Sequence, residues 1–269
     1  MKARSPGLVS IVAFGYALLY IPIVSVVIYS FNDSRLVTLW GGFSMRWYAS
    51  LLEDEKLLEA ALLSLRIAFL SATFATALGA IVALALHRLT RLRGRLLLSG
   101  MVTAPLVMPE IITGLSLLFL FISMANLIGW PMSRGATTIT IAHITFSMAY
   151  VVVVVRSRLA AMDESLEEAA MDLGGRPVAV FFDVTVPMLL PALVSGWLLA
   201  FTLSLDDLVI SSFVSGPGAT TLPMYIFAKV RLGVTPDINA ITTIIIALVA
   251  LAVATASIVS NRRRPVGAQ

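Results

Sequence analysis

Cysteine is absent from this sequence, and charged residues are scarce. With no cysteine among 269 residues, the chain cannot form disulfides, thiol nucleophiles or cysteine-based metal sites. Only 13% of the residues are charged and 59% are hydrophobic, whereas about a quarter of a soluble domain is charged. This composition excludes an ordinary soluble protein. The pI of 9.7 is therefore better explained by membrane orientation signals than by nucleic-acid binding.

The motifs of common enzymes are also missing. The sequence contains no G-x-x-x-x-G-K-S/T loop for ATP phosphates, no H-E-x-x-H and no evident nucleophile–base pair. We therefore expect no catalytic residue, no metal site and no cofactor in this chain. These absences favour a membrane transport protein over an enzyme.

Long apolar runs predict an all-α, polytopic membrane protein with one transmembrane domain over residues 1–269. Each run is long enough to cross a hydrocarbon core of about 30 Å. The first run is longer than a typical signal-peptide core, so we expect it to be a retained span. The six predicted spans are 7–29, 61–86, 97–122, 137–155, 188–214 and 238–260.

The distribution of basic residues predicts the orientation of these spans. Twelve of the 19 Lys and Arg residues lie in the two termini, the second loop and the fourth loop. Because Lys and Arg concentrate on the cytoplasmic side, both termini and the fourth loop are expected in the cytoplasm. In the first loop, on the opposite side, Trp40, Trp47 and Tyr48 favour an interfacial helix.

The third predicted span contains Pro105, Pro109 and Gly114. Proline removes a backbone donor and kinks a helix, which membranes tolerate where the helix faces protein or a water-filled path. We find no repeat of fixed period and no pair of inverted halves, and their absence weakens a secondary-transporter interpretation.

The cytoplasmic loop between spans four and five is rich in charges and turn residues. Apolar residues recur at helical spacing over 159–173, which predicts one amphipathic helix. Gly174 and Gly175 should end it, and Pro177 should begin a short helix that leads to span five. Exposed phenylalanines in that short helix would need a partner surface.

The spacing in this loop resembles a known signature. Glu168-Ala169-Ala170, three residues, Gly174, nine residues and then Val184-x-Val186-Pro187 are similar to the EAA motif of membrane subunits of ABC-type importers. Valine stands at two positions where the family pattern has isoleucine and leucine. The resemblance implies a type I importer permease fold, with a coupling loop at about 156–188 that docks on a separate ATPase subunit.

Several residues are assigned to that docking surface. The EAA residues and the turn glycine are assigned by the resemblance, and the two phenylalanines by their expected exposure beside the cytosol. A generic amphipathic loop helix is the alternative interpretation. The predicted docking residues are Glu168, Ala169, Ala170, Gly174, Phe181 and Phe182.

A wider resemblance covers most of the chain. WGGFSMRWYASLLEDEKLLEA, APLVMPEIITGLSLLF and FTLSLDDLVISSFVSGPGATTLPMYIFAKVRLGVTPDINAITT, together with the opening span, look like permeases of polyamine importers, most of all the second permeases of putrescine systems. The resemblance implies a second permease subunit, two ATPase copies that carry ATP and magnesium, and a periplasmic or surface binding protein. The location implied is the bacterial inner membrane.

Three carboxylates fall inside predicted spans. They are Glu110 in span three and Asp206 and Asp207 in span five. An ionised carboxylate in hydrocarbon costs about 2.5–3.5 kcal/mol on insertion scales, so such groups usually face a cavity or a partner. A polyamine dication needs paired negative charge and apolar or aromatic walls. We predict that these residues line the substrate path. Alternatively, one aspartate caps a helix or forms a salt bridge with Arg66 or with a partner subunit.

Other polar and aromatic residues in the spans receive structural interpretations. His143 in span four is expected to form a packed hydrogen bond between helices, with a proton relay as the less favoured role. Tyr150 and Trp130 either line the substrate path or lie in an aromatic belt, and the belt is the favoured interpretation. The alternatives for the whole chain are an ABC permease for another substrate class, a stand-alone secondary transporter or channel, and an intramembrane enzyme.

Overall fold

The computed structural model describes residues 6–36, 39–89, 93–163, 165–233 and 235–262. Over these residues the regular elements are all helices, and one isolated bridge joins Asn32 and Phe43, which confirms the all-α prediction. Within these ranges there are twelve α-helices: α1 Pro6–Tyr29, α2 Arg46–Glu53, α3 Glu55–Arg88, α4 Arg95–Val107, α5 Glu110–Ile128, α6 Ala136–Ala160, α7 Ser165–Asp172, α8 Pro177–Val180, α9 Val186–Asp206, α10 Val209–Val214, α11 Leu222–Leu232 and α12 Pro236–Arg262.

Five helical segments in the described ranges are long and apolar enough to cross a membrane. They are Val9–Tyr29, Glu55–Arg88, Glu110–Ile128, Ala136–Ala160 and Pro177–Asp206. Each overlaps one of the first five predicted spans, closely for the first, second and fourth and partly for the third and fifth. The sixth predicted span, 238–260, lies within α12, of which Pro236–Ala247 is apolar among the residues whose side chains the structure describes. The sixth crossing therefore stays a prediction.

The predicted third span, 97–122, is interrupted at one of the prolines that were expected to kink it. The chain forms α4 up to Val107 and begins α5 at Glu110, with an extended Met108 (φ −80°, ψ 136°) between them. Proline disfavours the helical conformation of the residue before it and has no N–H to continue the ladder. Pro109 consequently separates the two helices, whereas Pro105 is accommodated inside α4.

The predicted fifth span, 188–214, is also interrupted. α9 ends at Asp206, and Asp207 is extended (φ −65°, ψ 124°) before the short helix α10. The Asp207 carboxylate accepts hydrogen bonds from the amides of Ile210 (3.2 Å) and Ser211 (2.7 Å) in the first turn of α10. An aspartate side chain that satisfies helix-start amides favours a new helix over continuation of the old one.

The single loop helix predicted over 159–173 is divided in two. α6 continues to Ala160, with Leu159 buried, and α7 begins only at Ser165. On the far side of the loop, α8 passes through one π-helical turn at Phe181–Thr185 into α9 without a break. In this turn the amide of Val186 donates to the carbonyl of Phe181. The chain therefore passes from the short helix into the fifth span without an interruption at Pro187.

The described chain divides into two compact units, and residues 59–225 form the larger one. Its core is built around α6, where Val151 is fully buried. A Cβ on Gly79 of α3 would lie 2.8 Å from Val151, and one on Gly196 of α9 would lie 3.4 Å away. Because both glycines lack a Cβ, α3 and α9 can approach the same valine.

The second unit comprises residues 1–58 and 226–269. In it α12 packs on α1 and α2. The ammonium group of Lys229 lies 3.0 Å from the carboxylate of Asp54 and 2.8 Å from that of Asp237, which ties the α2 region to the start of α12. The prediction of one transmembrane domain over 1–269 stays a prediction.

Candidate functional site

The two helix breaks border one cavity in the larger unit. Its volume is about 420 Å³. The α4–α5 break contributes Met108, Pro109 and Glu110, and the α9–α10 break contributes Asp206 and Asp207. Backbone that leaves the helical ladder at membrane depth is tolerated where it lines a cavity or packs in protein. The helix break at Pro109 and the three carboxylates predicted to line the substrate path therefore border the same cavity.

Glu110 and Asp206 are the exposed carboxylates of this cavity. Both side chains lie at its lining, and both residues are exposed. No lysine or arginine is found among the described residues that line the cavity. The arrangement can offer negative charge to a ligand from two different helices.

Asp207 lines the same cavity but is engaged inside the protein. Its Oδ2 lies 3.1 Å from Nε2 of His143, and His143 is only 1% exposed. His143 Nδ1 lies 2.6 Å from Oγ of Ser204, and Ser71 donates to Ser204 at 2.9 Å. This buried chain of polar groups joins α3, α6 and α9. It agrees with the packed, hydrogen-bonded role expected for His143.

Aromatic side chains of α6 form another wall. Phe146 and Tyr150 both line the cavity, and their ring centroids are 6.4 Å apart in an edge-to-face arrangement. Tyr150 occupies the less favoured of its two predicted places, the path rather than the aromatic belt, and Phe146 was not among the predicted site residues. The available signal was the spacing of His143, Phe146 and Tyr150, because residues three and four apart share one helix face.

The loop at the other end of α6 contains the predicted docking residues. Ser165 donates its backbone N–H to Asp163 at 3.0 Å where α7 begins. Hydrogen bonds from the Ser165 side chain and backbone lower the pKa of the Asp163 carboxyl group. Asp163 consequently remains ionised near the helix N-terminus, where negative charge is favourable.

The end of α7 is a glycine turn, as predicted. Gly174 has a left-handed backbone (φ +90°). Its amide donates to Met171 O at 2.9 Å, and the amide of Gly175 donates to Ala170 O at 3.0 Å. These two bonds form a Schellman motif, which stops a helix and turns the chain. A Cβ on Gly175 would lie 2.7 Å from the Ala170 oxygen, so both positions require glycine.

The surface around this turn is apolar and exposed. Glu168, Ala169 and Gly174 are exposed, and Ala170 and Phe181 are partly buried. Phe182 is 61% exposed. Further exposed apolar side chains surround these residues: Leu166, Met171, Leu173 and Val178. Apolar side chains gathered on a loop typically mark a protein contact.

Comparisons with known proteins agree with this architecture. Residues 75–263, more than half of the chain, match the family model described as "Binding-protein-dependent transport system inner membrane component". The putrescine transport system permease protein PotI of Escherichia coli K12 is 58% identical over 92% of this chain and 88% of its own length. The spermidine/putrescine transport system permease protein PotC of Haemophilus influenzae is 46% identical over 87% of this chain and 88% of its own.

Solved structures with similar folds include a bacterial ABC transporter involved in the import of the acidic polysaccharide alginate. The TM-score is 0.74 at 18% identity, and the match covers 95% of this chain and 94% of the other. A structure of a bacterial alginate ABC transporter in complex with a periplasmic protein bound to alginate pentasaccharide gives a TM-score of 0.73 at 16% identity, covering 97% of this chain and 94% of the other. The predicted type I ABC importer permease fold is thereby confirmed.

These findings also confirm the expectation of a transport subunit, because the relatives are permease proteins and not enzymes. The matched family is one of inner-membrane proteins, in agreement with the predicted location. On the family match and the identity to its relatives, the chain belongs to the family of inner membrane components of binding-protein-dependent transport systems.

Proposed function

We propose that this chain is a permease subunit of an ATP-driven importer of polyamines, with putrescine as its first substrate. The observation that carries this proposal is the cavity in which Glu110 and Asp206 face a common space beside aromatic rings. The similarity is greater to a putrescine permease, at 58% identity, than to a spermidine/putrescine permease, at 46%.

The chemistry of the cavity fits a diamine. Putrescine carries an ammonium group at each end of a short methylene chain. Carboxylates can accept charge-assisted hydrogen bonds from those groups, and the faces of Phe146 and Tyr150 attract cations and pack against methylenes. A cavity with acidic and aromatic walls and no basic side chain among its described lining disfavours an anionic cargo.

Within this site we assign different roles to the two adjacent aspartates. Asp206 is exposed to the cavity, and with Glu110 it is the proposed substrate contact. Asp207 is held by His143 and by the start of α10. Its proposed role is to fix the break between α9 and α10, which presents Asp206 to the cavity.

Energy for transport would come from other polypeptides. The proposed complex contains a second permease subunit, two copies of an ATPase with bound ATP and magnesium, and a periplasmic or surface polyamine-binding protein. Glu168, Ala169, Ala170, Gly174 and the two phenylalanines would dock on the ATPase in the cytoplasm, which requires both termini on that side. The exposed apolar side chains around Gly174 support this assignment because the described chain leaves much of their surface uncovered.

Coupling would work by a shift between two states. ATP binding by the paired ATPase subunits would move the docked loops and rock the membrane helices between inward- and outward-facing arrangements. The cavity carboxylates would then be presented alternately to the two sides of the membrane.

Uptake of labelled putrescine and spermidine into vesicles that hold the full complex tests the proposal. We expect uptake that requires ATP and the binding protein, with putrescine preferred. Failure of both amines to enter, with a different solute entering in an ATP-dependent manner, would contradict the substrate. Uptake by vesicles with the permease alone, driven by an ion gradient, would contradict the coupling.

A further inference from the structure

Glu167 precedes the predicted docking residue Glu168, and its carboxylate bonds to other residues of the same chain. Glu167 is only 23% exposed at its side chain. Both of its oxygens are close to Nη2 of Arg88, at 2.6 and 2.7 Å. Oε1 also accepts a hydrogen bond of 2.6 Å from the Thr185 hydroxyl. We call Arg88, Glu167 and Thr185 the loop clasp.

The three residues of the loop clasp belong to three different elements. Arg88 is the last residue of α3, Glu167 lies in the first turn of α7, and Thr185 is the last residue of the π-helical turn that leads into α9. The clasp therefore connects the docking helix directly to the cytoplasmic ends of two predicted membrane-spanning helices.

The environment of each group favours a fixed geometry. Thr185 is fully buried, and a buried hydroxyl requires a hydrogen-bond partner. Glu167 lies at a helix N-terminus, where negative charge is favourable. The Arg88 guanidinium also lies 6.0 Å from the ring centroid of Phe181, at the limit of a cation–π contact. Arg88 is thus held by both the loop helix and the π-helical turn.

The backbone connects α7 to its neighbouring helices through two turns. On one side a turn at Ala161–Asp163 joins α7 to α6, and on the other the Gly174–Gly175 turn joins it to α8. If a force on α7 reached the membrane helices only through these turns, changes in the backbone angles of the turns would take up part of the displacement. A side-chain contact to α3 and to the start of α9 bypasses both turns.

We propose that the loop clasp is a positioning device that makes α7 move together with α3 and α9, so that force applied at the docking surface reaches the cavity. The proposal rests on the proposed function, since it takes the force to come from an ATPase subunit. It assigns Glu167 and Glu168 opposite tasks: Glu168 contacts the partner, and Glu167 holds the helix.

The test uses single variants of each clasp residue in the full complex. Glu167→Gln and Arg88→Gln remove the ion pair, and Thr185→Val removes the hydroxyl while retaining the shape of the side chain. The charge-swapped double variant Arg88→Glu with Glu167→Arg restores an ion pair with reversed sign. Two matched controls change charged residues at exposed positions. They are Arg93→Gln in the loop between α3 and α4 and Asp172→Asn on α7.

Two readouts separate a positioning role from a merely structural one. The first is the number of putrescine molecules imported per ATP hydrolysed, and the second is hydrogen exchange of the amides of residues 165–172 in the nucleotide-free complex. A partly exposed ion pair contributes modestly to stability. We therefore expect each single variant to lower the number of putrescine molecules imported per ATP, and to speed the hydrogen exchange of residues 165–172, by about threefold in each case. The charge-swapped double variant should recover most of the putrescine-to-ATP ratio and most of the protection from exchange. The ATPase subunits should stay bound in every variant.

Unchanged ratio and exchange in the three single variants would overturn the proposal. So would a swapped variant as defective as the singles, because the residues would then not act on each other. If the unmodified complex imports no polyamine, the proposed function fails, while the exchange measurement still decides whether the clasp holds α7.

Discussion

His143 and Asp207 form a buried pair across two helices, with Nε2 of the histidine 3.1 Å from Oδ2 of the aspartate. The two side chains are 1% and 4% exposed. Ser211 Oγ lies 3.1 Å from the same histidine nitrogen, and Ser204 binds the other ring nitrogen. Since each polar atom of the pair has a partner, the group can persist in an apolar core.

Removal of the histidine should destabilise the protein. His143→Leu would remove one hydrogen bond from the buried Asp207 carboxylate, which keeps its bonds to the amides of Ile210 and Ser211, and a hydrogen bond to a charged group contributes about 1.5–3 kcal/mol. We expect a lower thermal midpoint for the detergent-solubilised complex, measured by loss of the monodisperse peak on size exclusion. Thr145→Val is the matched control, because Thr145 is an exposed residue of α6 whose hydroxyl bonds to Ile141 O. Equal midpoints for His143→Leu and this control would contradict the prediction.

The exposed carboxylates should affect transport more than stability. In Glu110→Gln and Asp206→Asn the cavity loses a charge that a diamine would contact, and a hydrogen bond to a charged group contributes about 1.5 kcal/mol or more. We expect the apparent KM for putrescine to rise roughly tenfold in each variant with assembly unchanged. Initial uptake rates over a range of putrescine concentrations measure this effect.

Asp207→Asn provides the comparison for those variants. Its carboxylate is bound to His143 and to amides of α10, so we expect mainly a loss of thermal stability. Normal uptake by both Glu110→Gln and Asp206→Asn would show that the cavity carboxylates do not contact the substrate.

The glycine turn should govern contact with the ATPase. At Gly174 (φ +90°) any side chain strains the backbone, by roughly 1–2 kcal/mol for a left-handed residue. Gly175→Ala would place a Cβ 2.7 Å from Ala170 O. We expect Gly174→Asp and Gly175→Ala to weaken co-purification of the ATPase subunit and to reduce uptake. Gly100→Ala is the control, because a Cβ there meets no atom within 4 Å. Full retention of the ATPase subunit and full uptake in both variants would count against the docking surface.

Several features could be predicted from sequence because they depend on local rules. The first, second and fourth spans agree with α1, α3 and α6 because long apolar runs can satisfy their backbone only as helices in a membrane. The turn at Gly174 was predictable because glycine favours a left-handed helix end. The break at Pro109 could not be distinguished from a kink, because Pro105 lies in the same segment and stays helical.

Other features depend on partners that are distant in the chain. Asp206 and Asp207 are neighbours with the same chemistry, but Asp207 bonds to His143, more than sixty residues away, whereas Asp206 is exposed. Phe146 and Tyr150 enter the cavity because α6 is placed between two broken helices. Glu167 and Glu168 differ in the same manner, since Arg88 and Thr185 reach only the first of them.

Composition by itself determined that this chain is a helical membrane protein, because hydrophobic length acts within one segment, and the resemblance of its fourth loop to the EAA motif indicated the importer permease type. Tertiary structure decided which acidic groups face the cavity and which are held inside. That choice depends on short-range contacts between helices, and a hydrogen bond of about 3 Å cannot be predicted from residue spacing alone.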